Sequence, residues 1–300
     1  MWERPEAGIS SKPAQRRPNR AGLFCGPTAS RAFTLIELLV VIAVIALLMA
    51  ILLPSLQRVR RQGKAVVCQS NLRQWGKILA IYTEENQGCF PRSGARTPEI
   101  WLLRGAFLTG DDPNQPDDSL YHFHTQGIAC CPMAVKPGSP IQVGISARGV
   151  EGWAGSTFRA WQISSPAPAF RGSYGVNRRL FWQFRPFLWR ELDIFSLRGR
   201  ANIPTLLDAG YPYGRPDDFD RPPFTEESAG LPPDMDTFCM DRHDGHVNGL
   251  FLDWSVRKVG LKELWTLKWH AEFNTAGRWT KAGGVQPEDW PEWMRHFKDY

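Results

Sequence analysis

The chain has 300 residues, 43% hydrophobic, 22% charged and 12% aromatic, with 13 Trp and 24 Pro. This is a globular composition, long enough for one or two domains with a sizeable core. The net charge of +6 is uneven: Arg4, Lys12, Arg16, Arg17, Arg20 and Arg31 face only Glu3 and Glu6. Residues 1–32 therefore hold +4 and residues 33–300 only +2, so the basic balance is poor ground for nucleic-acid binding.

Residues 1–32 have low complexity and no apolar periodicity, and read as a basic leader outside any core. Phe33 to Leu53 follows, a run of 21 residues in which only Thr34 and Glu37 are polar. As a helix it spans about 31 Å, against a bilayer hydrocarbon core of about 30 Å. Being apolar on nearly every face, it points to a membrane rather than to a soluble core. It is longer than the h-region of a cleaved secretory signal and ends without an A-x-A-like site. A lipoprotein signal needs an apolar run before its cysteine, and Cys25 follows a polar one. A plain anchor leaves Glu37 unexplained, because an unpaired acid at mid-bilayer costs about 2.5–3.5 kcal/mol, and less near the ends.

After Pro54, Leu56, Val59, Val66, Leu72, Trp75, Leu79 and Tyr82 recur mostly at spacings of three, four and seven. The spacing predicts an amphipathic helix over 54–88 with a basic outer face, bent but not ended at Pro54. Asn86-Gln87-Gly88 is its predicted stop. Residues 111–118 and 211–234 read as loops, while 172–177 and 203–208 read as short strands with their flanks. A hairpin is predicted from Val247–Leu252 and Ser255–Val259 through Asp253-Trp254, although that turn geometry favours glycine where Trp254 stands. Leu261–Phe273 reads as a short amphipathic helix ahead of a Trp-rich tail. The fold class expected is α+β, with a long N-terminal helix packed on an antiparallel-sheet domain over 89–300.

The six cysteines include no C-x-x-C pair, which argues against a zinc ribbon or a thioredoxin-like site. If residues 55–300 lie outside the cytoplasm, disulfides become possible. Adjacent Cys130 and Cys131 pair with each other only under strain, so Cys68 or Cys89 is a better partner for one of them. Asp241, His243, Asp244, His246 and Asp253 cluster in sequence and could ligate Ca²⁺ or Zn²⁺. Capping and closing the hairpin is the expected role for them. His122 and His124, near Cys130-Cys131, raise the same zinc question and receive the same structural reading. No G-x-S-x-G, H-E-x-x-H, P-loop or G-x-G-x-x-G occurs, so no enzyme activity is expected. No residue is assigned to catalysis, a cofactor or a metal. The tryptophans could stack on sugars, but core and tail packing is the expectation.

The stretch R-A-F-T-L-I-E-L-L-V-V-I-A-V-I-A-L-L, with Pro54 behind it, resembles the signal of type IV prepilins and type II secretion pseudopilins. The resemblance implies that a prepilin peptidase cuts between Ala32 and Phe33 and N-methylates Phe33. Ala32 stands where the family usually has Gly. Glu37 then matches the family's acidic residue, and Pro54 the proline where pilin helices bend. Cleavage creates an α-amino group at Phe33, ionising at about 7.7–8.0. Glu37 could neutralise it between neighbouring subunits, setting their register.

Further stretches are similar to a large planctomycete-type group of pilin-like proteins with a C-terminal H-x9-D-G motif. They are Cys68–Gly76, which includes Asn71, then Cys131-Pro132, Gly172–Asn177, and Arg242–Asp253, with His243 and Asp253 at the motif spacing and Trp254 in place of its Gly. Most of that group has no assigned function. These resemblances imply a pseudopilin or minor pilin-like subunit with a prepilin peptidase and other pilin-like subunits as partners. It would be single-pass in the inner membrane, with its domain periplasmic or extracellular. The alternative is a membrane-anchored extracytoplasmic module, for polysaccharide for example, that forms no filament. Charge flanking the helix is nearly balanced, so the orientation rests on the resemblance.

Overall fold

A computed structural model of the chain describes residues 34–90, 127–134, 151–165, 170–181, 193–226 and 234–300. The leader, Ala32, Phe33, the 111–118 loop, His122 and His124 lie outside the described residues. Two units make up the chain, Met1–Leu52 and Leu53–Tyr300. The fold is α+β. Helix α1, Leu35–Glu85, begins in the first unit and continues into the second. Every described residue of the first unit is exposed. Among the described residues, α1 is the one helix long and apolar enough to cross a membrane.

Pro54 lies inside α1. Its ring removes the N–H that would bond the Ala50 carbonyl, yet helix continues on both sides. The helix ends as the Asn86-Gln87-Gly88 signal predicts. Gln87 and Gly88 take φ of 54° and 72°, and the Gly88 N–H closes onto the Thr83 carbonyl at 2.8 Å. The buried face differs from the predicted one. It comprises Ala65, Cys68, Asn71, Leu72, Trp75, Gly76, Ile78, Leu79 and Thr83. Leu56, Val59 and Val66 are instead 45%, 61% and 61% exposed, so the apolar exposure of α1 continues well past Pro54. The i, i+3, i+4 rhythm was present in both sets, and only packing chooses between them.

The second unit carries two sheets. Strands β1 (Glu151–Trp153), β2 (Trp161–Ser165) and β3 (Phe170–Gly172) form an antiparallel three-stranded sheet. The larger sheet uses β4 (Tyr174–Asn177), β5 (Pro204–Asp208), β6 (Tyr213–Gly214), β7 (His246–Phe251) and β8 (Val256–Gly260) in the order β6-β4-β5-β7-β8. Its pairs are antiparallel except β4–β6, which run parallel. The 172–177 and 203–208 stretches and the hairpin are all strands of these sheets.

Period-2 alternation splits the core in two. Tyr174, Val176, Leu206 and Leu250 pack with Cys68, Leu72, Trp75 and Leu79 of α1. Leu207, Val247, Phe251 and Val259 cluster with Trp265, Trp269 and Trp290 of the tail. The rings of Trp265, Trp279 and Trp290 lie within 5.4–6.5 Å of one another. Each fully buried Leu, Val or Phe contributes about 1.5–3 kcal/mol. The predicted 261–273 helix is shorter and tighter than expected: a 3₁₀ segment, Lys262–Thr266, ending at Leu267. Its apolar residues are buried on nearly every side, so no long amphipathic helix is needed to cover the sheet.

Two backbone positions are constrained. Trp254 takes the hairpin turn with φ of 67°, and its ring packs edge-on at 6.4 Å from Phe90. The residue that strains the turn therefore also anchors it to the core. In β4, a Cβ on Gly175 would sit 2.5 Å from the Tyr211 carbonyl oxygen and 2.7 Å from Ala209 Cβ. We expect Gly175→Ala to destabilise the domain by about 1–3 kcal/mol, because backbone rather than a movable side chain blocks it. Thermal unfolding checks this, and an unchanged midpoint refutes it.

Candidate functional site

Four chemically reactive side chains meet between α1 and the larger sheet. Cys68 comes from the buried face of α1, and Cys131 from the Cys-Pro turn. Asp208 ends β5, and His243 precedes β7. Their sulfur, oxygen and nitrogen atoms all lie within 4.8 Å of one another, and all four residues are buried. His243 Nε2 is 3.1 Å from Asp208 Oδ2 and 3.4 Å from Cys131 Sγ. Cys68 Sγ is 3.6 Å from both Asp208 oxygens and 3.4 Å from the Tyr174 hydroxyl. The Met133 N–H reaches Cys131 Sγ at 3.5 Å.

Arg242 completes the charge balance. Its side chain is fully buried, and Nη1 reaches Asp208 Oδ1 at 3.1 Å. It also donates to the carbonyls of Thr157 (2.8 Å), Ser173 (2.7 Å), Ser156 (2.9 Å) and Ala209 (3.3 Å). One guanidinium thus ties β5 to the turns bounding the smaller sheet. The Asn248 N–H adds a 2.8 Å bond to Asp208 Oδ2.

Burial alone would raise the Asp208 pKa, but the charge and hydrogen bond of His243, with Arg242 and the Asn248 N–H, hold it at about 2. Burial alone would lower His243, and the Asp208 carboxylate raises it instead to about 9. Burial, Cys131 and Asp208 push the Cys68 thiol well up. Cys131 moves down despite burial, through its hydrogen bonds from Cys68 and His243 and the charge of Arg242.

Of the motif residues singled out in the sequence, Cys68, Cys131 and His243 meet in this group, whereas the cluster near the hairpin is dispersed. Of the five clustered near the hairpin, only His243 enters this group. Asp241 caps the Gly245 N–H, and the Asp244 carbonyl meets His246 Nδ1 at 2.8 Å. Asp253 caps Ser255, at 3.0 Å to its N–H. Asn71 donates to the Cys130 carbonyl at 3.1 Å, joining α1 to the turn that holds Cys131 and Pro132. Cys68, Cys130, Cys131 and Cys239 are free thiols, and it is Cys68, rather than Cys89, that lies beside Cys131.

A second ionic group lies around Asp217, which meets Arg179 at 3.1 Å and His270 at 3.4 Å. Nearby, burial and the like charges of Asp234 and Asp217 raise Asp220 to about 6, although it accepts the Asp217 and Met235 N–H groups. A raised carboxyl favours the protonated folded state, so its ionisation costs stability above about pH 6 and that cost fades on acidification. We expect Asp220→Asn, which keeps an oxygen acceptor, to raise the unfolding midpoint at pH 8 and to lose that advantage progressively as pH falls from about 6 toward 4. Midpoints that track the parent at pH 8 as well as at pH 4 refute it.

At the start of α1, Thr34 and Glu37 form a reciprocal pair. The Thr34 N–H and hydroxyl donate to Glu37 Oε2 at 2.9 and 2.8 Å, and the Glu37 N–H donates to Thr34 Oγ1 at 3.2 Å. This is a capping box. Behind it the apolar side chains from Leu35 to Leu53 are exposed on every face. Residues 28–53 match the family described as Prokaryotic N-terminal methylation motif. The chain carries a prepilin-type signal. No curated protein and no solved structure matches the chain.

The prepilin-type signal implies processing by a prepilin peptidase and association with a membrane, and it covers the stretch that holds Ala32, Phe33 and Glu37. Sequence reasoning missed three residues in the buried group of this prepilin-type chain: Asp208, Arg242 and Tyr174. One signal was present. Asp208 closes the run Ile203-Pro204-Thr205-Leu206-Leu207, where a charge after buried strand residues needs a buried partner.

Proposed function

We propose that this chain is a pseudopilin or minor pilin-like structural subunit. A prepilin peptidase cuts it before Phe33 and N-methylates the new end. The subunit assembles through its apolar N-terminal helix in a type II secretion or type IV pilus-like system, with its domain on the periplasmic side of the inner membrane. Its role is structural rather than catalytic. The observation that carries this reading is the methylation motif at 28–53, in register with a helix whose apolar side chains from Leu35 to Leu53 are all exposed. Such a surface is costly in water and is satisfied by lipid or by neighbouring helices. The exposed Leu56, Val59, Val66 and Val67 extend this apolar surface beyond Pro54, as helix-to-helix assembly would use.

The test is N-terminal and intact-mass analysis of the membrane form. A methylated Phe33 terminus is the expected result, and an intact Met1 overturns the reading. Cross-linking through cysteines placed in 35–53 then reports assembly. Processed but monomeric chains would instead indicate an anchored binding module.

A further inference from the structure

We propose that Cys68, Cys131, Asp208 and His243 bind one zinc-class divalent cation between α1 and the larger sheet. The inference is independent of filament assembly. It rests first on convergence: the helix, the Cys-Pro turn, the end of β5 and the approach to β7 each contribute one ligand atom to one buried point. Zinc bonds of about 2.3 Å to sulfur and 2.0–2.2 Å to nitrogen and oxygen give tetrahedral edges of about 3.3–3.8 Å. Three of the six edges are already close, at 3.4 Å for Cys131 to His243, 3.1 Å for His243 to Asp208 and 3.6 Å for Cys68 to Asp208, and the other three lie within 4.8 Å.

Charge gives the second argument. Two thiolates and one carboxylate carry three negative charges, and a divalent cation with Arg242 carries three positive ones, leaving His243 neutral. A balanced set is what a buried site requires. The surrounding donors fit as well. Arg242 binds Asp208 through Oδ1, while Oδ2, which also accepts the Asn248 N–H, faces the imidazole and the Cys68 sulfur. The Tyr174 hydroxyl at 3.4 Å and the Met133 N–H at 3.5 Å are placed to donate to the two sulfurs, the kind of outer support that orients metal ligands. Two sulfurs, one nitrogen and one oxygen select a borderline-soft ion. Ca²⁺ and Mg²⁺ prefer sets of oxygens. Binding requires both cysteines as thiolates and His243 as the neutral imidazole, so it competes with protons.

A disulfide between Cys68 and Cys131 is the competing fate of these sulfurs. It would need only the two thiols to meet, and leaves unexplained why a carboxylate and an imidazole point at them.

The experiment uses the full chain in detergent micelles, purified under reducing conditions, stripped with chelator and titrated with Co²⁺ or Zn²⁺. We expect about one ion per chain, and with Co²⁺ a thiolate-to-metal charge-transfer band. Cys131→Ser is expected to abolish that band, and Cys239→Ser, a buried thiol elsewhere, to keep it. If Cys131→Ser fails to fold, the parent titration decides alone. A reduced, folded chain that binds no Co²⁺ through thiolate overturns the proposal. So does a Cys68–Cys131 disulfide in the metal-free chain isolated from membranes without reductant.

Discussion

Replacing Arg242 by Met is expected to destabilise the folded domain by about 3–5 kcal/mol, the range for breaking a buried ion pair by removing one partner. The side chain is fully buried, and its donors meet one carboxylate and four carbonyls. Methionine fills much of the volume but removes all of these hydrogen bonds at once. The Ser156 and Ser173 carbonyls keep only the N–H groups of Arg159 and Ala209, and Asp208 loses one of its cationic partners. Arg242→Lys is expected to fall nearly as far. Three donors on one nitrogen cannot reproduce a planar fork that reaches carbonyls of four separate residues. For a domain of this size, 3–5 kcal/mol lowers the thermal midpoint by about 6–20 °C. Thermal unfolding of parent, Arg242→Met and Arg242→Lys chains measures it. A drop under about 1 kcal/mol for Met would show that water satisfies these carbonyls in place of the guanidinium.

The two ends of the chain differ in how far sequence could read them. Local signals were sufficient for α1. An unbroken apolar run and an Asn-Gln-Gly stop each act within a turn or two of the residues concerned. The capping box of Thr34 and Glu37 went unread, because Glu37 was matched only to a partner in another subunit. The strands at 174–177, 204–208 and 246–251 were legible for the same reason. Non-local choices were not. Val66 and Leu72 have equal claim to an apolar stripe, and the sheet packs on only one of them. The buried cluster joins residues 35 to 175 positions apart in the chain, so no local spacing could announce it. His243 was singled out with its neighbours in sequence, whereas its partners in space are Cys68, Cys131 and Asp208. A charge at the end of an otherwise apolar strand was the readable trace.

Glu37 yields the other large effect, because two roles now compete for it. In α1 it caps Thr34, and on the proposed reading it also neutralises the Phe33 α-amino group of a neighbouring subunit. Glu37→Gln separates them. A glutamine at this position can still return a hydrogen bond to the Thr34 N–H and keep the box. It cannot balance a positive charge in an apolar bundle. We expect Glu37→Gln and Glu37→Leu alike to insert in the membrane and to lose subunit cross-linking by about tenfold or more, since about 1.4 kcal/mol is a tenfold change in an association constant. Raising the concentration of subunits should recover some assembly, as the apolar surfaces themselves are unchanged. If Glu37→Gln assembles like the parent while Glu37→Leu does not, the carboxylate acts as a helix cap and the charge-pairing account is wrong. If both assemble normally, neither role matters to assembly, and register must come from the apolar side chains between Leu35 and Val67.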